Sequence, residues 1–204
     1  MKTPKRTSFS IVYFYDLGGA TARLLPKLSH ELSKANIVFL APRHLKRSKT
    51  LSEWSKFLVK NCSIEASWTD FNHPIQILKL LIRKKAKILH MQWEFTLFRS
   101  SAFFSFTVLL FFLARFFLKT RIIVTMHPVM PSDESYQRFF LTNVLGLGRV
   151  RGSVAKLSLI LLYQLLNITC STIIVHTHVQ RKWLLSYGIR SDKVKVVPYA
   201  PFIY

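Results

Sequence analysis

Acid is what this chain lacks most. Nine aspartates and glutamates stand against thirty lysines and arginines in 204 residues, a formal net charge of +21. The deficit is uneven. Between Asp70 and Asp133 the single acid is Glu94 against nine basic residues, and between Glu134 and Asp192 there is none against seven. A surface so poor in acid repels itself unless it meets anions such as phospholipid head groups, nucleic acid or diphosphates. Cysteine is scarce too. Cys62 and Cys170 lie far apart among strand-like or apolar neighbours, which reads as buried thiols in a reducing cytoplasm. The start, MKTPKRTSFS, is basic but lacks the apolar h-region that would follow in a signal peptide, so no secretory signal is expected. The sequence holds no cluster with metal-ligand spacing, no zinc-finger spacing, no RNP-type signature, no internal repeat and no low-complexity linker. These absences weigh against a metal centre, the common nucleic-acid modules and a repeat architecture.

What is present is apolar. Half the residues are hydrophobic, which argues against disorder, and the length suits one α/β domain with a sizeable core. Nucleic acid is the default partner for such a charge. The basic residues, however, are interleaved with long Phe/Leu runs rather than set on a polar face, and an anionic membrane surface fits that pattern better.

Along the chain the hydrophobic period switches repeatedly between strand and helix. Strands are expected at Phe9–Tyr15, Asn36–Ala41, Ser63–Trp68, Ala86–Trp93, Arg121–Met126, Thr172–His176 and Lys193–Val197. Helices are expected at Ala20–Lys34, around Leu51–Lys60, and at Ile75–Lys85, Ser100–Lys119, Val154–Asn167 and Val179–Tyr187, the last capped by Gly188. The stretch from His127 to Gly152 has no period and five prolines and glycines, so it reads as a long, partly mobile loop with a function. This alternation implies a single α/β domain: a Rossmann-like parallel sheet with helices on both faces. Such sheets bind ligands at the carboxyl ends of their strands. That rule points to Gly18-Gly19, Arg43-His44, Gln92-Trp93-Glu94, His127-Pro128 and Thr177-His178.

Four segments carry a resemblance. They are the first strand with Gly18-Gly19 and its helix; Ile88-Leu89-His90-Met91-Gln92-Trp93; Ile123-Val124-Thr125-Met126-His127-Pro128; and the run from Ser171 through Tyr187-Gly188-Ile189 to Lys193-Val194-Lys195-Val196-Val197-Pro198. In this order they resemble the N-terminal, acceptor-binding domain of family 4-like retaining glycosyltransferases of the GT-B fold. The resemblance spans nearly the whole chain. Two departures stand out: the His176-Thr177 pair replaces a small hydroxyl residue, and the donor-binding C-terminal domain is missing after residue 204. The resemblance implies a sugar nucleotide as co-substrate, no metal, and a lipid-linked or membrane-proximal glycan as acceptor. A donor-binding half on a separate polypeptide, an inactive truncated remnant and a basic nucleic-acid-binding protein are the alternatives.

The candidate site residues follow from both arguments. Gly18 and Gly19 permit positive φ and let a phosphate or sugar oxygen approach backbone N–H groups at a helix start, or else form an ordinary strand-to-helix turn. His127 is the candidate catalytic residue. It is able to hydrogen-bond a donor sugar or phosphate or to exchange a proton near neutral pH, and the resemblance implies a positioning and electrostatic role. Gln92, Trp93 and Glu94 form a candidate donor, phosphate or acceptor subsite, with Trp93 serving either as a sugar platform or as a lid on the core. His90 reads as a satisfied core histidine rather than a ligand. The Ser101–Leu118 segment is too short in its clean apolar part to span a bilayer. It reads instead as a helix lying in the membrane interface, or as a buried core helix. The expected membrane contacts are Phe103, Phe104, Phe111, Phe112, Arg115 and Lys119, with Arg83, Lys84, Lys85 and Lys87 beside them. Together they place the chain in the cytoplasm, peripherally on the inner face of the membrane.

Overall fold

The computed structural model describes residues 9–13, 36–42, 56, 62–68, 73–93, 101–127, 129–131 and 152–198. Seven strands form one sheet: β1 Phe9–Tyr13, β2 Asn36–Pro42, β3 Cys62–Trp68, β4 Ile88–Trp93, β5 Arg121–Met126, β6 Thr172–Val175 and β7 Val194–Val196. Their order across the sheet is β3-β2-β1-β4-β5-β6-β7. Every neighbouring pair is parallel. The chain therefore starts in the middle, steps outward to β3, returns beside β1 and walks the other way. That reversal, between β1 and β4, is the topological switch point at which doubly wound sheets bind their ligands.

Four helices are described: α1 His73–Arg83, α2 Ser101–Phe116, α3 Gly152–Thr169 and α4 His178–Ser186. Each precedes a strand one step further in the same direction, so right-handed crossovers place all four on one face. The expected strands fall within a few residues of the observed ones. The helix expected at 20–34 lies outside the described residues, and of that expected at 51–60 only Lys56 is described.

Burial explains the packing. On α1, Ile77, Leu80 and Leu81 recur at helical spacing and face the sheet, while Pro74 sits in the first turn, where its missing N–H costs nothing. On β4 the alternation is strict. Leu89, Met91 and Trp93 are buried beneath the helices, and His90 and Gln92 point to the opposite face at intermediate exposure. Buried residues of β5 (Ile122, Val124, Met126), β6 (Ile173, Val175) and all four helices join the same core.

The second helix is apolar on every side. Thr107, Leu110, Phe111 and Ala114 face the sheet, whereas Leu109, Phe112 and Phe116 are about half exposed at 50%, 42% and 49%. It is therefore not a fully buried core helix. One expectation needs correcting. Phe111, placed among the membrane contacts, is wholly buried, its ring 5.9 Å from that of Trp93. Among the described residues no helix is long and apolar enough to cross a membrane.

This division of the helix gives a direct test. Truncating Phe111→Ala empties a packed site and is expected to cost about 3–5 kcal/mol. The neighbouring Phe112→Ala, whose ring is partly in solvent, is expected to cost about 1 kcal/mol or less. Urea unfolding of both variants reads the difference, and equal losses would contradict the assigned inner face.

Candidate functional site

The carboxyl edge of β4, β5, β6 and β7 is tied together by one polar network. His127 follows β5 directly, and its backbone N–H continues the ladder by donating to the Trp93 carbonyl at 3.1 Å. Its ring Nε2–H donates to Gln92 Oε1 at 2.8 Å. The His127 carbonyl in turn accepts from Gln180 Nε2 at 2.6 Å. Gln180 belongs to α4, and its Oε1 accepts from the backbone N–H groups of His176 (2.8 Å) and Thr177 (3.1 Å). Thr177 closes a capping box, its hydroxyl accepting from the Gln180 N–H at 3.1 Å. Finally His176 Nδ1–H donates to the Val197 carbonyl at 2.9 Å, just past β7. A single glutamine thus locks the end of β5 to the start of α4.

The electrostatics follow from this enclosure. Burial, and secondly the charge that His176 would carry beside it, hold the His127 pKa down at about 4. The two imidazole rings are 5.2 Å apart between centroids. At neutral pH His127 is therefore an uncharged imidazole, with its proton on Nε2 toward Gln92 and its lone pair on Nδ1. At that pKa the ring is a weak proton acceptor near neutral pH, and its Nε2–H is committed to Gln92. His90 has a protein partner, as the sequence reading expects, but on the face opposite the described core. Its Nε2 lies 2.8 Å from Thr125 Oγ1, and burial lowers its pKa to about 4 as well.

The segment after His127 is anchored from below. Tyr163 Oη accepts from the Met130 N–H at 3.0 Å, and Tyr187 Oη–H donates to the Pro131 carbonyl at 2.8 Å. The two rings pack at 4.5 Å between centroids, and Val129 and Met130 are buried. Burial pushes the Tyr163 hydroxyl far above its ordinary pKa, so it stays a neutral partner. The beginning of the expected mobile loop is thus fixed by two tyrosines, while residues 132–151 lie outside the described ones.

The other expected residues divide. Gln92 joins His127. Trp93, read as a sugar platform or as a lid on the core, is fully buried against Phe111, because the pleat turns it to the opposite face from Gln92. Gly18, Gly19, Arg43, His44 and Glu94 lie outside the described residues, although β1 ends at Tyr13 on the same edge as His127. Of the expected membrane contacts, Arg83 and Lys84 pair with Glu65 on β3, and Arg115 is half-buried beside Ser171. Lys85, Lys87, Lys119 and Phe112 are exposed, and the side chains of Phe103 and Phe104 lie outside the description. Gln180, which holds the network together, was missed. Its signal was the Thr177-x-x-Gln180 spacing of a capping box ahead of the apolar Trp183, Leu184 and Leu185.

The two neutral histidines make acid a specific threat. Their folded pKa values of about 4 lie below the ordinary 6.5, so the unfolded chain binds more protons between those limits. Stability is expected to be full above about pH 6.5 and to fall as the pH drops toward 4. Urea titrations across that range measure it. Proton NMR of the imidazoles should find both rings neutral at pH 6, and a charged His127 there would contradict the described burial.

No family model matches the chain, and no curated protein matches it. Solved structures do. A glycosyltransferase from Rickettsia africae ESF-5 superposes with a TM-score of 0.54 at 11% identity, over 94% of this chain and 43% of that one. Anabaena Alr3699/HepE in complex with UDP-glucose gives 0.54 at 8% identity, over 93% and 43%. UDP-GlcNAc 2-epimerase from Neisseria meningitidis, bound to UDP-GlcNAc, gives 0.51 at 14% identity, over 92% and 46%. The chain spans less than half the length of each of these. Similarity at this level is one of fold, and the fold is the α/β, Rossmann-like one of GT-B glycosyltransferases and UDP-GlcNAc 2-epimerases.

Proposed function

We propose that this chain is the N-terminal, acceptor-binding half of a GT-B glycosyltransferase of the family 4-like, retaining type. With a donor-binding half, on the same or a separate polypeptide, it transfers a sugar from a sugar nucleotide to a lipid-linked or membrane-proximal glycan. The observation that carries this reading is the placement of His127. It stands at the carboxyl edge, two strands from the β1/β4 reversal, neutral and oriented by Gln92 and Gln180. Neighbours of the same fold hold UDP-glucose and UDP-GlcNAc.

In this reading His127 positions the donor sugar or phosphate through its neutral ring, and no metal takes part. The same reading assigns Gly18, Gly19 and Glu94 to donor, phosphate or acceptor binding, while Gln92 fixes the His127 ring. The protein works in the cytoplasm, docked peripherally on the inner face of the membrane, where its acceptor lies and where its positive charge meets anionic lipid.

The test separates the two halves. Positioning of two reactants supplies about 7–11 kcal/mol of barrier lowering, so the acceptor half alone is expected to give no useful turnover. Calorimetry of the 204-residue chain with a panel of UDP- and GDP-sugars should show no micromolar binding. Addition of a donor-binding half should bring transfer, which His127→Ala lowers about 100-fold. Micromolar donor binding by the chain alone, or epimerised sugar nucleotide as the product, would contradict the proposal.

A further inference from the structure

Two lysines adopt a backbone conformation that costs them stability. Lys85 has φ 46° and Lys119 φ 53°, the only non-glycine residues with positive φ among those described. The region is strained for any residue with a Cβ, and helix ends that need it usually recruit glycine. This chain itself shows the usual solution. At the end of α4, Gly188 (φ 81°) makes the turn, with Gly188 N–H donating to the Leu185 carbonyl and Ile189 N–H to that of Leu184. The end of α1 repeats the pattern: Lys85 N–H donates to the Ile82 carbonyl and Ala86 N–H to that of Leu81. The same turn is thus made once by glycine and once by lysine.

The turns that carry the two lysines stand side by side. The Thr120 hydroxyl donates to the Ala86 carbonyl at 3.1 Å, and Arg121 N–H donates to the Lys87 carbonyl at 2.8 Å. Those bonds join the α1–β4 and α2–β5 turns directly beyond each lysine, at the amino edge of the sheet. Lys87 and Arg121 are exposed there too. Glu65 is taken up by Arg83 and Lys84.

Beside this cationic edge lies an apolar face. Phe116 and Phe117 are 49% and 72% exposed at the end of α2. On α3, which packs against α2, Leu157, Leu161, Leu165 and Ile168 line the outer side at 56%, 55%, 38% and 56%. A second copy of a +21 chain would bring like charge to that edge. An anionic bilayer supplies both an apolar interior and the opposite charge.

We infer that Lys85 and Lys119 bind the phosphates of anionic phospholipids, while the outer face of α2 and α3 rests in the bilayer interface. This rests on the membrane-proximal reading of the acceptor and assigns it a surface. Strain at the two turns is retained because a glycine there would lose the charge. The third helix, which no pattern in the sequence singles out, is the second apolar contact.

The experiment uses the full chain, with phosphatidylcholine vesicles made with and without phosphatidylglycerol. The double variant Lys85→Gly/Lys119→Gly relieves the strain, so its melting temperature is expected to stay or rise. Its affinity for anionic vesicles is expected to fall roughly thirtyfold, from two charges removed at the surface. Leu161→Ser/Leu165→Ser is expected to weaken binding to both vesicle types, while Val179→Ser, an equally exposed residue on α4, binds as the native protein does. Native-like affinity in the double glycine or double serine variant overturns the assigned surface but leaves membrane docking standing. Absence of vesicle binding by the native chain overturns both, and so does dimerisation abolished by the serine pair without vesicle binding. The sugar-transfer reading is decided separately by the reconstitution above.

Discussion

The pairing of β4 with β5 is the constraint on which both ends of the molecule depend. Six residue pairs, from Ile88–Arg121 to Trp93–Met126, set one register. The register is fixed by what it buries. Leu89, Met91 and Trp93 on one strand, and Ile122, Val124 and Met126 on the other, all lie under the helices. A slip by one residue would turn every one of these toward the opposite face and bring His90 and Gln92 into the core. Apolar burial on this scale, about 1.5–3 kcal/mol for each large side chain, far exceeds any single hydrogen bond at the sheet edges. The polar geometry is therefore a consequence of the apolar one. Gln92 meets His127 at one end, and Lys87 meets Arg121 at the other, because the core allows no other alignment.

Most of the fold was legible because its signals are local. Strand after strand is a short apolar run bounded by turn residues, and periodicity suffices to find such runs. Which face a residue occupies was less legible. Trp93 reads as a sugar platform or a lid on the core, and Phe111 as a membrane contact, and the two pack on each other inside the core. In α2 nearly every position is apolar, so the sequence carries no stripe to mark the inner side. For Trp93, the strict alternation of β4 held the answer, but only once Leu89 and Met91 were known to be the buried set. Gln180 acts across 53 positions, on the His127 carbonyl, and no local pattern reveals such a partner. The capping box gave its place on the helix and not its reach.

The histidines show how enclosure decides chemistry. A loop histidine on a solvated rim would titrate near neutrality and change charge with small shifts of pH. His127 does not, because its ring is partly withdrawn from water and faces a second imidazole. Two charged rings at that distance would repel in a chain that already carries a large positive excess. Gln92 takes the one ring proton of His127, and burial together with the charge His176 would carry disfavours a second. In the proposed site such an uncharged, oriented imidazole accepts a polar ligand without competing for its protons.

The basic edge and the histidine network are also electrically separate. A six-residue strand extends roughly 20 Å at about 3.3 Å per residue. At physiological ionic strength charges are screened over about 8 Å, so Lys85, Lys119 and Arg121 have little hold on His127. Its lowered pKa has local causes, burial first and His176 second. Neutralising the amino edge with an anionic surface should therefore leave the state of the carboxyl edge unchanged. What joins the two is mechanical. The buried pairs between β4 and β5 run from one edge to the other as a single packed unit, so in the proposed docking the orientation of the molecule on the membrane also fixes where the His127 edge points.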